Sequence, residues 1–82
     1  MSGFFSHNVG GIHITFDNGW TVSIQFKEGN YCHRSQDGHS EDAEIAAWKG
    51  EGDWYNFGID AVKGYCTSNE VLAFMNKIAA LP

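Results

Sequence analysis

Residues 12–26 read IHITFDNGWTVSIQF and decide the fold, because apolar and polar side chains alternate on both sides of Asp17-Asn18-Gly19. Such period-two alternation is typical of half-buried β-strands. A two-residue loop would set the apolar side chains of one strand against the polar side chains of the other. A three-residue loop instead pairs Phe16 with Trp20 and leaves Gly19 in the left-handed conformation of a G1 bulge. The stretch therefore predicts a β-hairpin with one apolar face and one face that is either solvated or an interaction surface.

A third, aromatic-rich strand is predicted over Tyr31-Cys32-His33-Arg34, after a reversal at Glu28-Gly29-Asn30. Its register stays open. A four-residue loop that includes Lys27 puts Tyr31 on the apolar face, whereas a three-residue loop puts Cys32 there. We favour Tyr31 inward, because its ring can pack against Phe26 while its hydroxyl reaches the rim.

The middle of the chain predicts a polar loop and three further short strands. Ser35 to Asp42 shows no periodic pattern and is interpreted as the loop. Ala43 to Trp48 suits either a short helix or a strand, and we favour a strand, because an antiparallel partner over Asp53 to Phe57 follows at once. Val62 to Cys66 gives the last short strand.

The end of the chain carries the clearest helix signal. Thr67-Ser68-Asn69-Glu70 is a capping box, with Thr67 as N-cap and Cys66 and Val71 placed as a hydrophobic staple. The helix over Thr67 to Leu81 has an apolar stripe formed by Val71, Phe74, Met75 and Ile78 and widened by Leu72, Ala79 and Leu81.

These elements predict one α+β domain over residues 1–82. We expect an antiparallel, meander-like sheet of about five short strands, with the C-terminal helix packed on one face. Gly10-Gly11 precedes a strand rather than a helix, which excludes a dinucleotide-binding turn. The N-terminal residues before it are expected to be flexible.

Two stretches resemble a known group of proteins. Asn18 to Phe26, NGWTVSIQF, followed by Gly29-Asn30-Tyr31-Cys32, is similar to small uncharacterised proteins of bacteriophages and prophages. The likeness extends through Asp42 to Trp48 and Val62 to Tyr65 into the final helix. The resemblance implies a phage accessory protein of unknown role and assigns no catalytic or binding residue.

The charge balance argues against a nucleic-acid partner and is compatible with a basic one. The chain has a net charge of -5, and its five basic residues are scattered, which argues against binding a nucleic-acid backbone. Acidic residues concentrate between Asp37 and Asp53, as a solvated edge or as a surface for a basic partner. No run of residues suits a leader or a membrane span. We therefore expect a cytoplasmic protein, in the host cytoplasm if it is phage-encoded, with Cys32 and Cys66 as free thiols.

Neither catalysis nor metal binding is favoured. Neighbouring strand residues such as Cys32 and His33 would point to opposite faces and could not act as a nucleophile and base. The candidate ligands have no spacing diagnostic of zinc: His7, His13, His33, His39, Cys32 and Cys66. We therefore predict no cofactor and no enzyme activity, and a small metal-dependent or Cys/His enzyme is the least favoured function.

The remaining signal is the number of aromatic side chains, 15% of the residues. Aromatic rings together with an arginine and an amide are the usual lining of a pocket for a planar anionic molecule such as a nucleotide. The candidate ligand-binding residues are Trp20, Gln25, Tyr31, His33, Arg34, Trp48 and Trp54. In the competing interpretation the tryptophans only pack in the core and at the sheet edge.

Non-catalytic binding is the function class that these observations favour. The first hypothesis is a phage protein that counters host defence by sequestering a small nucleotide signal. The alternative is an inhibitor that binds a host protein through its polar sheet face or acidic edge. Because so small a sheet has little room for an internal cavity, we also expect a homo-oligomer with pockets between copies.

Overall fold

A computed structural model describes residues 2–7, 10–27, 30–33, 35, 39–58 and 60–82, apart from the side chain of His7. The described elements are β1 (Gly3–His7), β2 (Gly11–Thr15), β3 (Trp20–Gln25), β4 (Asp42–Lys49), β5 (Asp53–Trp54), β6 (Lys63–Thr67) and α1 (Ser68–Ala79).

The strands form an open antiparallel sheet in the order β1-β2-β3-β4-β5. The second edge of β4 is shared, because β5 pairs with its Trp48–Lys49 end and β6 pairs with its Asp42–Ile45 end. Helix α1 contacts β3, β4 and β6 on one face of the sheet. The α+β class, the meander and the C-terminal helix are therefore confirmed, and the described part of the chain contains six strands rather than five.

The central hairpin has the predicted register. Ile14 pairs with Val22 and Ile12 with Ile24, and the Phe16 amide donates to the Trp20 carbonyl at 2.8 Å. Gly19 closes the turn with φ of 89°. The apolar side chains of both strands therefore lie on one face, as alternation requires.

The N-terminal residues form a strand, and the expectation that they are flexible is wrong. Residues 3–7 pair with β2 in full register, with Phe5 opposite His13. The adjacent phenylalanines break the alternation that would have marked a strand, so β1 depends on the neighbouring strand rather than on a local pattern.

The predicted third strand is also wrong for the described residues 31–33, because Tyr31 and Cys32 form bends, His33 belongs to no strand, and β4 takes the place next to β3. Carboxylates of β4 hold this segment. The Tyr31 amide donates to Glu44 at 3.2 Å, and the His33 amide donates to Asp42 at 2.6 Å. Tyr31 is 61% exposed rather than turned into the core.

The later strands lie where the pattern predicted them. Residues 43–48 belong to β4 and are strand rather than helix, while β6 covers most of the predicted last strand. The partner strand β5 ends early, at Trp54. Beyond it Tyr55 and Phe57 turn to the helix side and pack against Phe74, with ring centroids 5.4 and 5.1 Å away.

Helix α1 begins with the predicted capping box, in which Thr67 and Glu70 exchange hydrogen bonds. Its core face is narrower than predicted, because Leu72 and Ala79 are exposed. The core between helix and sheet consists of Val22, Ile45, Ala47, Cys66, Val71, Phe74 and Ile78.

A turn residue of the hairpin closes the other end of the helix. The Asn18 side-chain amide donates to the carbonyl oxygens of Ile78 and Leu81, each at 2.9 Å. Carbonyls at the end of a helix have no amide four residues ahead to accept from, and the Ile78 carbonyl also accepts from the Leu81 amide at 3.1 Å. The β2–β3 turn therefore fixes where α1 ends.

Candidate ligand-binding surface

We call the side of the sheet opposite α1 the reverse face. Alternation assigns its residues from the strand register: His13 pairs with Ser23, Thr21 with Trp48, and Ser23 with Ala46. These side chains point to the side of the sheet opposite the apolar side chains that pack against α1. The reverse face is therefore the side on which the sequence analysis predicted a solvated or interacting surface.

Four rings cross the reverse face as an aromatic row, which we define as Phe5, His13, Trp48 and Trp54. Successive centroids lie 5.7, 5.0 and 4.8 Å apart, from β1 to β5. His13 meets Trp48 edge-on, at 84° between the ring planes. Phe5 is 60% and Trp54 51% exposed, so both ends of the row present ring surface to solvent.

Small side chains form the floor beside the aromatic row. Ser23 and Ala46 are cross-strand partners on the reverse face, and each is only 7% exposed. Thr15 and Thr21 share a hydrogen bond of 2.8 Å between their hydroxyls. The centre of the face is thus uncharged, with short side chains lying below taller rings.

Gln25 borders this floor. Its side-chain amide donates to the Ser23 hydroxyl at 3.1 Å. Its buried carbonyl oxygen accepts no hydrogen bond from the residues that the structure describes. Gly11 makes room for it, because a Cβ at position 11 would collide with the Gln25 side chain.

A second group of rings, the tyrosine cluster, consists of Tyr31, His33 and Tyr65. The ring of Tyr65 lies 4.9 Å from that of His33 and 6.4 Å from that of Tyr31. Tyr65 has φ of 56°, a left-handed conformation that is uncommon for a bulky residue. Its amide donates to the Tyr31 carbonyl at 2.9 Å, which holds this backbone in place.

Acidic side chains of β4 surround the tyrosine cluster. Asp42 contacts the His33 ring nitrogen Nδ1 at 2.7 Å. This hydrogen bond raises the pKa of His33 and lowers the pKa of Asp42. Glu44 accepts from the Asn30 side chain at 3.1 Å. This end of the sheet is therefore acidic and tightly hydrogen-bonded.

The predicted ligand-binding residues fall into separate places. Trp48 and Trp54 belong to the aromatic row, and Gln25 lies on the same face. Tyr31 and His33 belong to the tyrosine cluster. Trp20 is partly buried on the helix side, packed against the core, so the structure does not bring it to the other two tryptophans. Arg34 lies outside the described residues.

Sequence reasoning missed three members of these groups. His13 falls on the polar face that alternation predicts for the hairpin, but it was considered only as a metal ligand. Phe5 was missed together with β1. Tyr65 was missed because its contacts join residues far apart in the chain. Only His13 carried a signal, its alternation with Ile12 and Ile14.

Two lysines lie on the opposite side of the sheet from the aromatic row. Lys49 pairs with Trp20 and donates to the Pro82 carbonyl at 3.3 Å. Lys77 of α1 lies 5.4 Å from the centroid of the Tyr55 ring. The rings of the aromatic row therefore gain no positive charge from either side chain.

A separate open pocket of about 320 Å³ lies on the helix side, near the start of α1. Its lining residues include the apolar Ile24 and Val71, together with Cys66, Glu41 and Asp42. Burial raises the pKa of the Cys66 thiol, which disfavours the reactive thiolate. This pocket has no contact with the aromatic row among its lining residues.

No three His, Cys, Asp or Glu side chains of the described residues are grouped as metal ligands would be. No helix in the described part of the chain has the length and apolar character that crossing a membrane requires. No protein-family model, curated protein or solved structure matches this chain.

Proposed function

We propose that this chain is a non-catalytic binding protein whose aromatic row stacks on a planar ligand, and that the ligand is a small nucleotide. The observation that carries the proposal is the aromatic row itself. Four rings from four strands lie with successive centroids 4.8–5.7 Å apart on the face opposite the core. These rings are not part of the core between helix and sheet, because α1 packs on the opposite face of the sheet.

The physical basis is stacking on a rigid support. The rings of the aromatic row belong to paired strands, so little side-chain freedom is lost when a ligand binds. Base-on-aromatic stacking is worth about 1–3 kcal/mol per base. The hydroxyls of Thr15 and Thr21 supply hydrogen-bonding groups beside the rings.

The local charge narrows the nucleotide class. Asp42 and Glu44 make the neighbouring end of the reverse face acidic, and Lys49 and Lys77 lie on the helix side. A ligand with several terminal phosphate charges would be repelled there. The proposal therefore favours cyclic nucleotides, in which each phosphodiester carries a single negative charge.

The phage resemblance adds a biological role to this proposal. A small protein that holds a cyclic nucleotide without converting it lowers the free concentration of that nucleotide. If the nucleotide is a signal of host defence, sequestration would counter the defence. The uncharged floor is compatible with binding that leaves the ligand unchanged.

Calorimetry with cyclic mononucleotides, cyclic dinucleotides and linear mononucleotides tests the proposal. We expect a cyclic nucleotide to bind, and Trp54→Ala to weaken that binding about 5- to 150-fold, the equivalent of one lost stacking contact. Leu72→Ala is the matched control, because Leu72 is an equally exposed apolar side chain, 54%, on the helix. Absence of binding to every nucleotide, or equal effects of the two variants, would contradict the proposal.

A protein partner is the second candidate, favoured by one observation. The reverse face has an uncharged aromatic centre and acidic side chains at one end, where Asp42 and Glu44 lie. An aromatic centre with a charged rim is the usual anatomy of a protein interface. In that case a basic host protein recovered by pull-down would be lost with Trp54→Ala and retained with Leu72→Ala.

A further inference from the structure

The outer edge of β1 is unpaired within the described residues, since β1 pairs with β2 alone. Phe4 on this strand is 85% exposed. An unpaired strand edge offers backbone donors and acceptors to another strand, and proteins usually protect such an edge with lysine, proline or a bulge. The sequence GFFSH contains none of these residues, and its register with β2 is regular.

The hydrogen-bond pattern shows which backbone groups point outward. The Phe16 amide donates to Trp20, and the Phe26 amide donates to Gly10, so even-numbered residues of β2 face β3. Odd-numbered residues such as His13 then face β1, and their partner Phe5 faces back towards β2. Phe4 and Ser6 therefore direct their backbone N–H and C=O groups to the free edge.

The charge distribution indicates what kind of chain this edge can accept. The protein has a net charge of -5, yet residues 1–16 contain no Asp, Glu, Lys or Arg. Two acidic molecules repel each other least where they approach through an uncharged surface. The β1 edge is such a surface, while the acidic side chains of β4 lie on the other side of the sheet centre.

We propose that β1 pairs with β1 of a second copy, so that two sheets join into one and the aromatic row continues from one copy into the other. Antiparallel pairing about a twofold axis at Phe5 forms two hydrogen-bonded pairs, each between Phe4 of one copy and Ser6 of the other. The two Phe5 residues then form a non-hydrogen-bonded pair, in which the side chains are closest. Both Phe5 rings stay on the reverse face, because the axis is perpendicular to the sheet.

This pairing gives the site a contribution from both copies. Phe5 stands at the end of the aromatic row in one chain and at the centre of the row in the pair. On the helix side the exposed Phe4 rings become diagonal neighbours and lose contact with water. The inference rests on the proposed function for the use of the joined row, whereas the association itself is measured without a ligand.

Light scattering of the full chain and two variants at position 6 provides the test. Ser6→Pro removes the outward amide, and proline is tolerated on an edge strand whose N–H faces solvent. Ser6→Ala keeps the amide and is the matched control. We expect the wild type and Ser6→Ala to have twice the mass of one chain, and Ser6→Pro to have the mass of one chain with an unchanged circular dichroism spectrum. A monomeric wild type, or a Ser6→Pro variant that stays dimeric, overturns the proposal.

Hydrogen exchange on the wild type keeps the proposal testable if Ser6→Pro does not fold. We expect the Phe4 and Ser6 amides to be protected and to lose that protection on dilution, and unprotected amides at high concentration overturn the proposal. The two proposals can fail separately. A monomer that binds a cyclic nucleotide would contradict only the pairing of β1 between copies. A dimer that binds no nucleotide would contradict only the proposed ligand.

Discussion

At the scale of single residues, Gly64 determines how closely the Tyr31 segment approaches β6. A Cβ at position 64 would collide with the Tyr31 Cβ and lie 3.1 Å from the Tyr31 carbonyl oxygen. Because backbone as well as side chain would have to move, we expect Gly64→Ala to cost about 1–3 kcal/mol. Gly52→Ala is the control, since nothing lies within 4 Å of that Cβ position. Urea unfolding measures both, and equal midpoints would contradict the close approach.

The contact between His33 and Asp42 makes the same segment pH-dependent. The pKa of His33 is raised above 6.5, so its stabilising effect is complete below pH 6.5 and is lost as pH rises through the raised pKa. The pKa of Asp42 is lowered below 3.8, so its effect is complete above pH 3.8 and is lost as pH falls through the lowered pKa. We expect residues 30–33 to be held most firmly between these two values.

NMR titration of the His33 ring checks this expectation. Asp42→Asn keeps an oxygen that can accept from the His33 amide but removes the charge, so the His33 pKa should fall towards 6.5. Glu41→Gln is the control, because Glu41 contributes least to the upward shift. A His33 pKa that is unchanged by Asp42→Asn would exclude Asp42 as the main cause.

At the scale of elements, Asn18 connects the hairpin turn to the end of α1. Asn18→Asp keeps the oxygen that accepts from the Trp20 amide at 3.0 Å. It replaces the donor with a negative charge that faces the Ile78 and Leu81 carbonyls. We expect a loss of about 1–3 kcal/mol, because the carbonyl end of a helix repels an anion.

Chemical denaturation over a range of pH tests the Asn18 contact. The loss should shrink as pH falls, since a protonated carboxyl can donate to a carbonyl again. Asp17→Asn is the control at the neighbouring exposed position. A penalty for Asn18→Asp that is the same at every pH would show that charge at the helix end is not its cause.

The elements also show what sequence reasoning reaches and where it stops. The hairpin and α1 follow from local patterns: alternation around Gly19, and a capping box followed by an apolar stripe. Strand β1 and the non-strand conformation of residues 30–33 depend on distant partners, which are β2 for the strand and the carboxylates of β4 for residues 30–33. A local pattern contains no information on either.

The candidate site, too, could be predicted only where its residues are close together in the sequence. Trp48 and Trp54 could be predicted as neighbours, since they belong to the two strands of one short hairpin. The alternation of Trp20 with Val22 already indicated that Trp20 faces the core. That Trp48 and Trp54 lie on the opposite face became clear only from the pairing of β3 with β4. The continuation of the row to His13 and Phe5 required the position of β1.

At the scale of the whole molecule, α1 packs on one face of the sheet, over β3, β4 and β6, and stability depends on few buried side chains. Ile78 is fully buried, and we expect Ile78→Ala to cost about 2–5 kcal/mol. This is a large part of the roughly 5–15 kcal/mol by which small domains are stable. Leu72→Ala, at an exposed position of the same helix, should change stability by less than about 0.5 kcal/mol. Thermal unfolding measures both, and similar shifts would mean that α1 is not packed through Ile78.

The buried position of Cys66 makes its thiol a natural probe for opening of the contact between α1 and the sheet. Cys66 of β6 is 1% exposed in the core beneath α1, while Cys32 is half-buried. Although Cys66 lines the open pocket near the start of α1, so little of it is exposed that its reaction with an alkylating reagent requires α1 to move away from the sheet. The rate of adduct formation at Cys66, followed by mass spectrometry of the wild-type chain, therefore reports how often α1 opens. The rate at Cys32 is the internal reference for the reactivity of the reagent.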